Sequence, residues 1–179
     1  MRQTFDNIIL IGMPGCGKST LGVLFAKAEM YGFCDTDLLI QQREKLPLFK
    51  IIEKHGIEGF SEIESGVVSS LGGYHRTVIA TGGSVVLCEG AMENLRRNGT
   101  VIYIKLPCEE IKRRVKNITT RGLVMRPGET LDDVFRERAP LYEKYADITV
   151  DCTGLKTEES VEKLIRELKT ARSNNHKQQ

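Results

Sequence analysis

Apolar positions fall along this chain in two alternating patterns. Short runs with few polar positions, Ile8-Ile9-Leu10-Ile11, Tyr31-Gly32-Phe33-Cys34, Thr77-Val78-Ile79-Ala80, Val101-Ile102-Tyr103-Ile104 and Ile148-Thr149-Val150, read as strands, the first with the character of one buried on both faces. Between them, apolar residues recur at helical spacing. The pattern predicts helices over residues 20–29, over 38–45 as far as Pro47, and along Phe60, Ile63, Val67, Val68 and Leu71. It predicts others over 91–97 with Gly99 as C-cap, over the basic stretch 109–116, and over 131–142 with a bend near Pro140. Val161, Leu164, Ile165 and Leu168 mark a last amphipathic helix. Residues 118–129 lack apolar periodicity and read as a mobile loop, and the polar residues 172–179 read as a disordered tail. Alternating strands and helices imply one α/β domain over residues 1–171, a three-layer α/β/α arrangement around a five-stranded parallel sheet. In such sheets ligands bind beyond the carboxyl ends of the strands, so the chemistry is sought in the loops that follow them.

Composition narrows the function classes. The chain has 179 residues, 40% of them hydrophobic, enough for a full core without staples. Its net charge of +2 argues against nucleic acid or an anionic membrane as partner. No apolar run is long enough to span a bilayer, and the N-terminus lacks a signal-peptide layout. The five cysteines include no C-x-x-C pair, and the three histidines lie apart, so neither a disulfide framework nor a structural metal is indicated and a cytoplasmic location fits.

The strongest chemical signal is Gly12-Met13-Pro14-Gly15-Cys16-Gly17-Lys18-Ser19, which fits G-x-x-x-x-G-K-[ST] between a predicted strand and a predicted helix. Its glycines let backbone N–H groups converge on phosphate oxygens at a helix N-terminus. Lys18 is placed for the β- and γ-phosphates and Ser19 for Mg²⁺; Cys16 reads as a small filler without redox role. A guanine-reading N-K-x-D sequence is absent, and the chain is short for a motor or transporter ATPase, which leaves a small-molecule kinase.

Further motifs follow in order: Thr20 after the loop, Asp35-Thr36-Asp37, Thr81-Gly82-Gly83, Arg121, and Arg138-Ala139-Pro140-Leu141-Tyr142 with Ala146-Asp147. Together they resemble the shikimate kinase family of nucleoside-monophosphate-kinase-like proteins over roughly residues 8–168. The resemblance implies a P-loop kinase fold with a mobile lid over about residues 118–129, ATP with Mg²⁺, a small hydroxylated acceptor and a monomer. It implies that Asp35 organises Mg²⁺ with Ser19, while Asp37 orients the acceptor hydroxyl and takes its proton. On residue type alone, Asp35 and Asp37 also read as an N-cap pair for the helix that follows. By the same resemblance Arg121 is the lid arginine, with Arg126 as substitute, and Arg114 lies beside the adenine. A solvated arginine and a merely basic helix face are the alternatives for Arg121 and Arg114. Gly82, Gly83 and Arg138 fall on the acceptor side, Arg138 as one of two arginines that clamp a carboxylate.

Two acceptor-side positions depart from the family pattern. The second clamp arginine, expected in F-R-x-x-E, is Ser61 in Phe60-Ser61-Glu62-Ile63-Glu64, and the third loop glycine is Ser84. Serine cannot supply a bidentate guanidinium, and Glu58, Glu62 and Glu64 oppose an anion wherever they face the pocket. The expected activity is ATP-dependent phosphorylation of shikimate to shikimate 3-phosphate, in aromatic amino acid biosynthesis. The alternatives are a paralogue acting on another polyol or amino alcohol, and a nucleotide-binding regulator without catalysis.

Overall fold

The structure is a computed structural model and describes residues 6–115 and 123–176. Arg121 and most of the first half of the expected lid lie outside the described residues.

Five parallel strands form one sheet: β1 (Asn7–Ile11), β2 (Gly32–Asp35), β3 (Thr77–Ala80), β4 (Gly99–Lys105) and β5 (Ile148–Asp151), in the order β2-β3-β1-β4-β5. Every residue of β1 and β3 is buried, as expected of strands covered by helices on both faces. The register pairs Leu10 with Ala80 on one side of β1 and with Ile102 on the other. The strand order switches direction beside β1, so the loops after β1, β2 and β3 open into one crevice.

The helices are α1 (Lys18–Glu29), α2 (Thr36–Glu44), α3 (Leu48–Ser69), α4 (Glu89–Asn98), α5 (Cys108–Arg114), α6 (Leu131–Tyr145) and α7 (Thr157–His176). On one side α1 packs against α7, and elsewhere α3 packs against α4. A second small core of Ile40, Ile51, Phe60, Val67 and Val124 joins α2 and α3 to the segment before α6.

Two local expectations, the start of α3 and the end of α7, are corrected. The helix expected from Phe60 begins at Leu48, because Ile51 and Ile52 already pack into that second core, and it is interrupted at Gly56 with φ 69°. Gly99 is the C-cap of α4, as expected, though not through a left-handed turn. It is extended and opens β4, where a Cβ would stand 2.5 Å from the Asn7 carbonyl oxygen of the paired strand. Helix α6 carries Pro140 inside it, as expected. Helix α7 continues to His176, past the point where the tail was expected to lose structure.

Candidate active site

The loop between β1 and α1 takes the form its glycines permit. Gly15 and Gly17 have φ 82° and 98°, a region open to glycine without strain, and Gly17 caps α1. Lys18 is buried rather than solvent-facing. Its Nζ donates to the carbonyls of Gly12 at 2.8 Å and Met13 at 3.0 Å, with Cys16 Sγ at 3.8 Å as a weak third contact. An ammonium has three donors, and only the one on sulfur is poorly used, so it is the one a phosphate oxygen would take. Cys16 is buried, consistent with a filler.

At the end of β2, Asp35 does two things at once. Its Oδ1 accepts from the Asp37 N–H at 2.9 Å and so caps α2, while its Oδ2 accepts from Ser19 Oγ at 2.6 Å. The helix-cap and metal-side readings of Asp35 are therefore compatible. Asp37 lies in the first turn of α2 rather than at its cap, and lines the pocket. Burial, then the charge of Asp35, push its carboxyl up to about 6, against the opposing pull of Lys18.

The loop after β3 closes the other wall. A Cβ on Gly83 would lie 2.6 Å from the Pro14 ring, so glycine there lets the two loops meet. Gly82 N–H donates to Thr36 Oγ1 at 3.2 Å, and Tyr142 donates its hydroxyl to the Gly83 carbonyl at 2.6 Å. Ser84 donates from Oγ to Glu64 Oε2 at 2.9 Å.

Arg138, on α6, is 2% exposed although it is the largest buried side chain among the described residues. It donates from Nη2 to the Val124 carbonyl, and its Nε and Nη1 have no partner. Two orphaned guanidinium donors in a buried setting call for an anion.

These groups surround a cavity of about 440 Å³ whose walls include Pro14, Lys18, Ser19, Asp37, Ser84 and Arg138, with Gly15, Gly17, Thr20, Gly82, Gly83 and Arg114. A side hollow of about 120 Å³ continues past Arg114, Thr20 and Leu155. Arg114 also pairs with Glu110, so its reading as a charged helix face holds alongside the pocket-side one.

The structure does not bring every expected residue to the site. Ser61 is half-buried on α3 and is not among the lining residues, whereas its neighbour Phe60 is. Arg126, the substitute lid arginine, is tied to Glu129 at 2.9 Å and Glu137 at 2.8 Å and faces solvent. Of the three acids near Ser61, Glu58 and Glu62 are exposed and Glu64 is buried. Sequence reasoning missed Phe60, Leu123 and Val124 in the cavity wall, and Glu64, Thr36 and Tyr142 as the groups that brace it. Phe60 and Glu64 stand one turn apart on α3, and that i, i+4 spacing was the available signal for Glu64.

Among the described residues no cluster of three or more His, Cys, Asp and Glu side chains forms a metal cage, and no helix is long and apolar enough to cross a membrane. The oxygen pair of Ser19 and Asp35 suits a hard divalent cation that keeps most of its ligands from water and phosphate.

Comparison with known proteins agrees with this geometry. A family model described as shikimate kinase matches residues 14–169. A shikimate kinase of Thermodesulfovibrio yellowstonii is 37% identical over 163 residues, covering 90% of this chain and 94% of that protein. The structure of a shikimate kinase from Acinetobacter baumannii in complex with shikimate superposes with a TM-score of 0.85 at 28% identity, covering 94% of this chain and 95% of that one. A shikimate kinase from Aquifex aeolicus gives 0.79 at 34%, over 91% and 96%. A loop built for a triphosphate and an orphaned arginine across the same cavity thus sit in a chain that belongs to the shikimate kinase family.

Proposed function

We propose that this protein transfers the γ-phosphoryl group of ATP to a hydroxyl of shikimate, giving shikimate 3-phosphate. The observation that carries the reading is Arg138: a buried guanidinium with two free donors shares one cavity with the phosphate loop and Asp37, and shikimate offers both a carboxylate and hydroxyls. The Acinetobacter baumannii relative, whose structure is in complex with shikimate, supports the same acceptor.

The chain's own groups account for the transfer. The N–H groups of the phosphate loop hold the β- and γ-phosphates, and Lys18 shifts its weak donor from sulfur to a phosphate oxygen. Arg138 fixes the acceptor's carboxylate, which places a hydroxyl near Asp37. Asp37 accepts that hydroxyl's proton as the oxygen attacks in line, and it must be ionised to do so. Ser19 and Asp35 are the residues that would hold Mg²⁺, which supplies charge neutralisation across the β- and γ-phosphates. Catalysis of this kind is positioning and electrostatics.

The test is ADP release by the purified protein with ATP and Mg²⁺, with and without shikimate, in wild type and Lys18→Ala. Shikimate-dependent turnover is expected, lowered on the order of 10²–10³-fold by the substitution. Circular dichroism checks that Lys18→Ala is folded, since Lys18 also braces the loop carbonyls. Wild type inert on shikimate but active on an uncharged polyol or amino alcohol would favour the second reading, which rests on Ser61 standing where a clamp arginine was expected.

A further inference from the structure

Glu64 is a buried carboxylate that the phosphoryl-transfer steps do not use. It is 2% exposed, and among the described residues no cation lies within ion-pair distance of it. Its Oε2 accepts from Ser84, while Oε1 has no partner and is packed so tightly on Gly82 that a Cβ there would stand 2.3 Å away. The charged and titratable groups facing it are Asp37 from α2, Lys18 from α1, and Arg138 and the Tyr142 hydroxyl from α6. Glu64 is not part of the cavity wall; Ser84 is, as is Arg138. Whatever Glu64 does for a ligand it does through Ser84.

The direction of that one hydrogen bond depends on a proton. Ionised Glu64 can only accept, so Ser84 must spend its O–H on Oε2 and shows the cavity bare lone pairs. Protonated Glu64 can donate from Oε2 to Ser84 Oγ, which frees the serine O–H to donate into the cavity. The first state opposes a carboxylate beside Arg138, and the second welcomes it. Burial, opposed by the bond from Ser84, holds the Glu64 carboxyl up to about 7, so both states are within reach near neutrality.

We propose that Ser84 and Glu64 form the second arm of the acceptor's carboxylate site: a solvent proton goes onto Glu64 as the carboxylate binds, and Ser84 turns its O–H to that carboxylate. Ser84 is then a binding residue and Glu64 a positioning residue, and the pair supplies what Ser61 does not. The inference rests on the reading that the acceptor is shikimate.

The experiment is calorimetric titration of the full chain with shikimate at about pH 8, in two buffers of different ionisation heat, which counts protons taken up on binding. Wild type should take up close to one proton, and its Kd should rise about tenfold per pH unit above about 7. Glu64→Gln keeps a donor toward Ser84 and should bind with no uptake and little dependence on pH. Ser84→Ala should raise Kd by about ten- to a hundredfold, with KM for ATP unchanged. Binding and turnover without proton uptake in wild type would sink the inference and leave the kinase reading intact. Wild-type uptake that is lost in Glu64→Gln, in a protein that never phosphorylates shikimate, would leave the Ser84–Glu64 carboxylate site standing and sink the reading of shikimate as acceptor. No binding of shikimate at all overturns both. The wild-type proton count needs no substitution, so misfolding of a variant cannot spare the idea.

Discussion

At the scale of single residues, the site separates into groups whose roles follow from local spacing and groups whose roles need the fold. Lys18, Ser19 and Asp35 belong to the first kind. Lys18 and Ser19 open α1 and Asp35 ends β2, and a loop of defined glycine spacing leaves them few other places to point. Asp37 is of the same kind, but its energetic state was not legible, because the burial that raises its carboxyl to about 6 comes from walls supplied by distant segments. That burial has a cost: an ionised carboxylate is held where water solvates it poorly, beside a second one on Asp35. Asp37→Asn should therefore lower kcat on the order of 10²–10⁴-fold. At neutral pH it should also raise Tm by about 2–6 °C, since the unfavourable charge is gone. Turnover assay and calorimetry on the same sample read both; a fall in Tm with the fall in kcat would mean that Asp37 is structural rather than catalytic. Glu64 and Ser84 are of the second kind. They are 20 residues apart and meet only because α3 packs over the loop after β3. No local pattern announces the contact, and the acidity around Ser61 read as three equal charges although only one of them is buried.

At the scale of elements, periodicity located the five strands and most helices, because alternation between apolar runs and amphipathic stretches is a property of near neighbours in the chain. What it missed were features decided by tertiary contact. Gly99 is the helix cap its position suggested, but it also opens β4, where Asn7 of β1 passes too close for a side chain. Asn7 itself, polar at the head of an apolar run, is buried and satisfied: its side chain donates to the carbonyls of Tyr74 at 2.6 Å and Asn98 at 3.0 Å, and accepts from Thr77 N–H at 3.0 Å. Helix α6 matters most for function, since it carries Arg138 and Tyr142. Its start is fixed by a reciprocal cap, Asp133 N–H to Thr130 Oγ1 at 3.2 Å and Thr130 N–H to Asp133 Oδ2 at 3.0 Å. Thr130→Ala should cost about 1 kcal/mol, or about 2–4 °C in Tm for a chain of this size. The cap lies two turns before Arg138, so KM for the acceptor should change by less than about threefold. A large rise in acceptor KM with little loss of Tm would show that the start of α6, and not its packing on the core, sets the arginine.

At the scale of the whole molecule, the buried acids set stability against activity as functions of pH. Asp37 and Glu64 have ordinary values of 3.8 and 4.5, raised to about 6 and about 7 in the folded chain. Between those limits the folded state holds protons that the unfolded chain has released. Stability from these two groups is therefore present at low pH and is lost as pH rises through about 6 to 7. Asp132, Asp133 and Asp151 act oppositely. Partners at Lys112, Thr130 and Thr153 hold their carboxyls below the ordinary value, so their stabilisation is present above it and is lost as the pH falls through the lowered range. The exposed position of these three makes each effect small. The ligand-free protein should then be most stable on the acid side of neutrality, with Tm rising from about pH 7.5 to about pH 5.5 and falling below about pH 4. Calorimetry at constant ionic strength checks the sign. A double substitution, Asp37→Asn with Glu64→Gln, should flatten the slope between about pH 5.5 and 7.5 while leaving the acid limb in place. Transfer requires ionised Asp37, so activity climbs through the same range in which the empty fold weakens. Acceptor binding, which draws a solvent proton onto Glu64, then returns part of that stability.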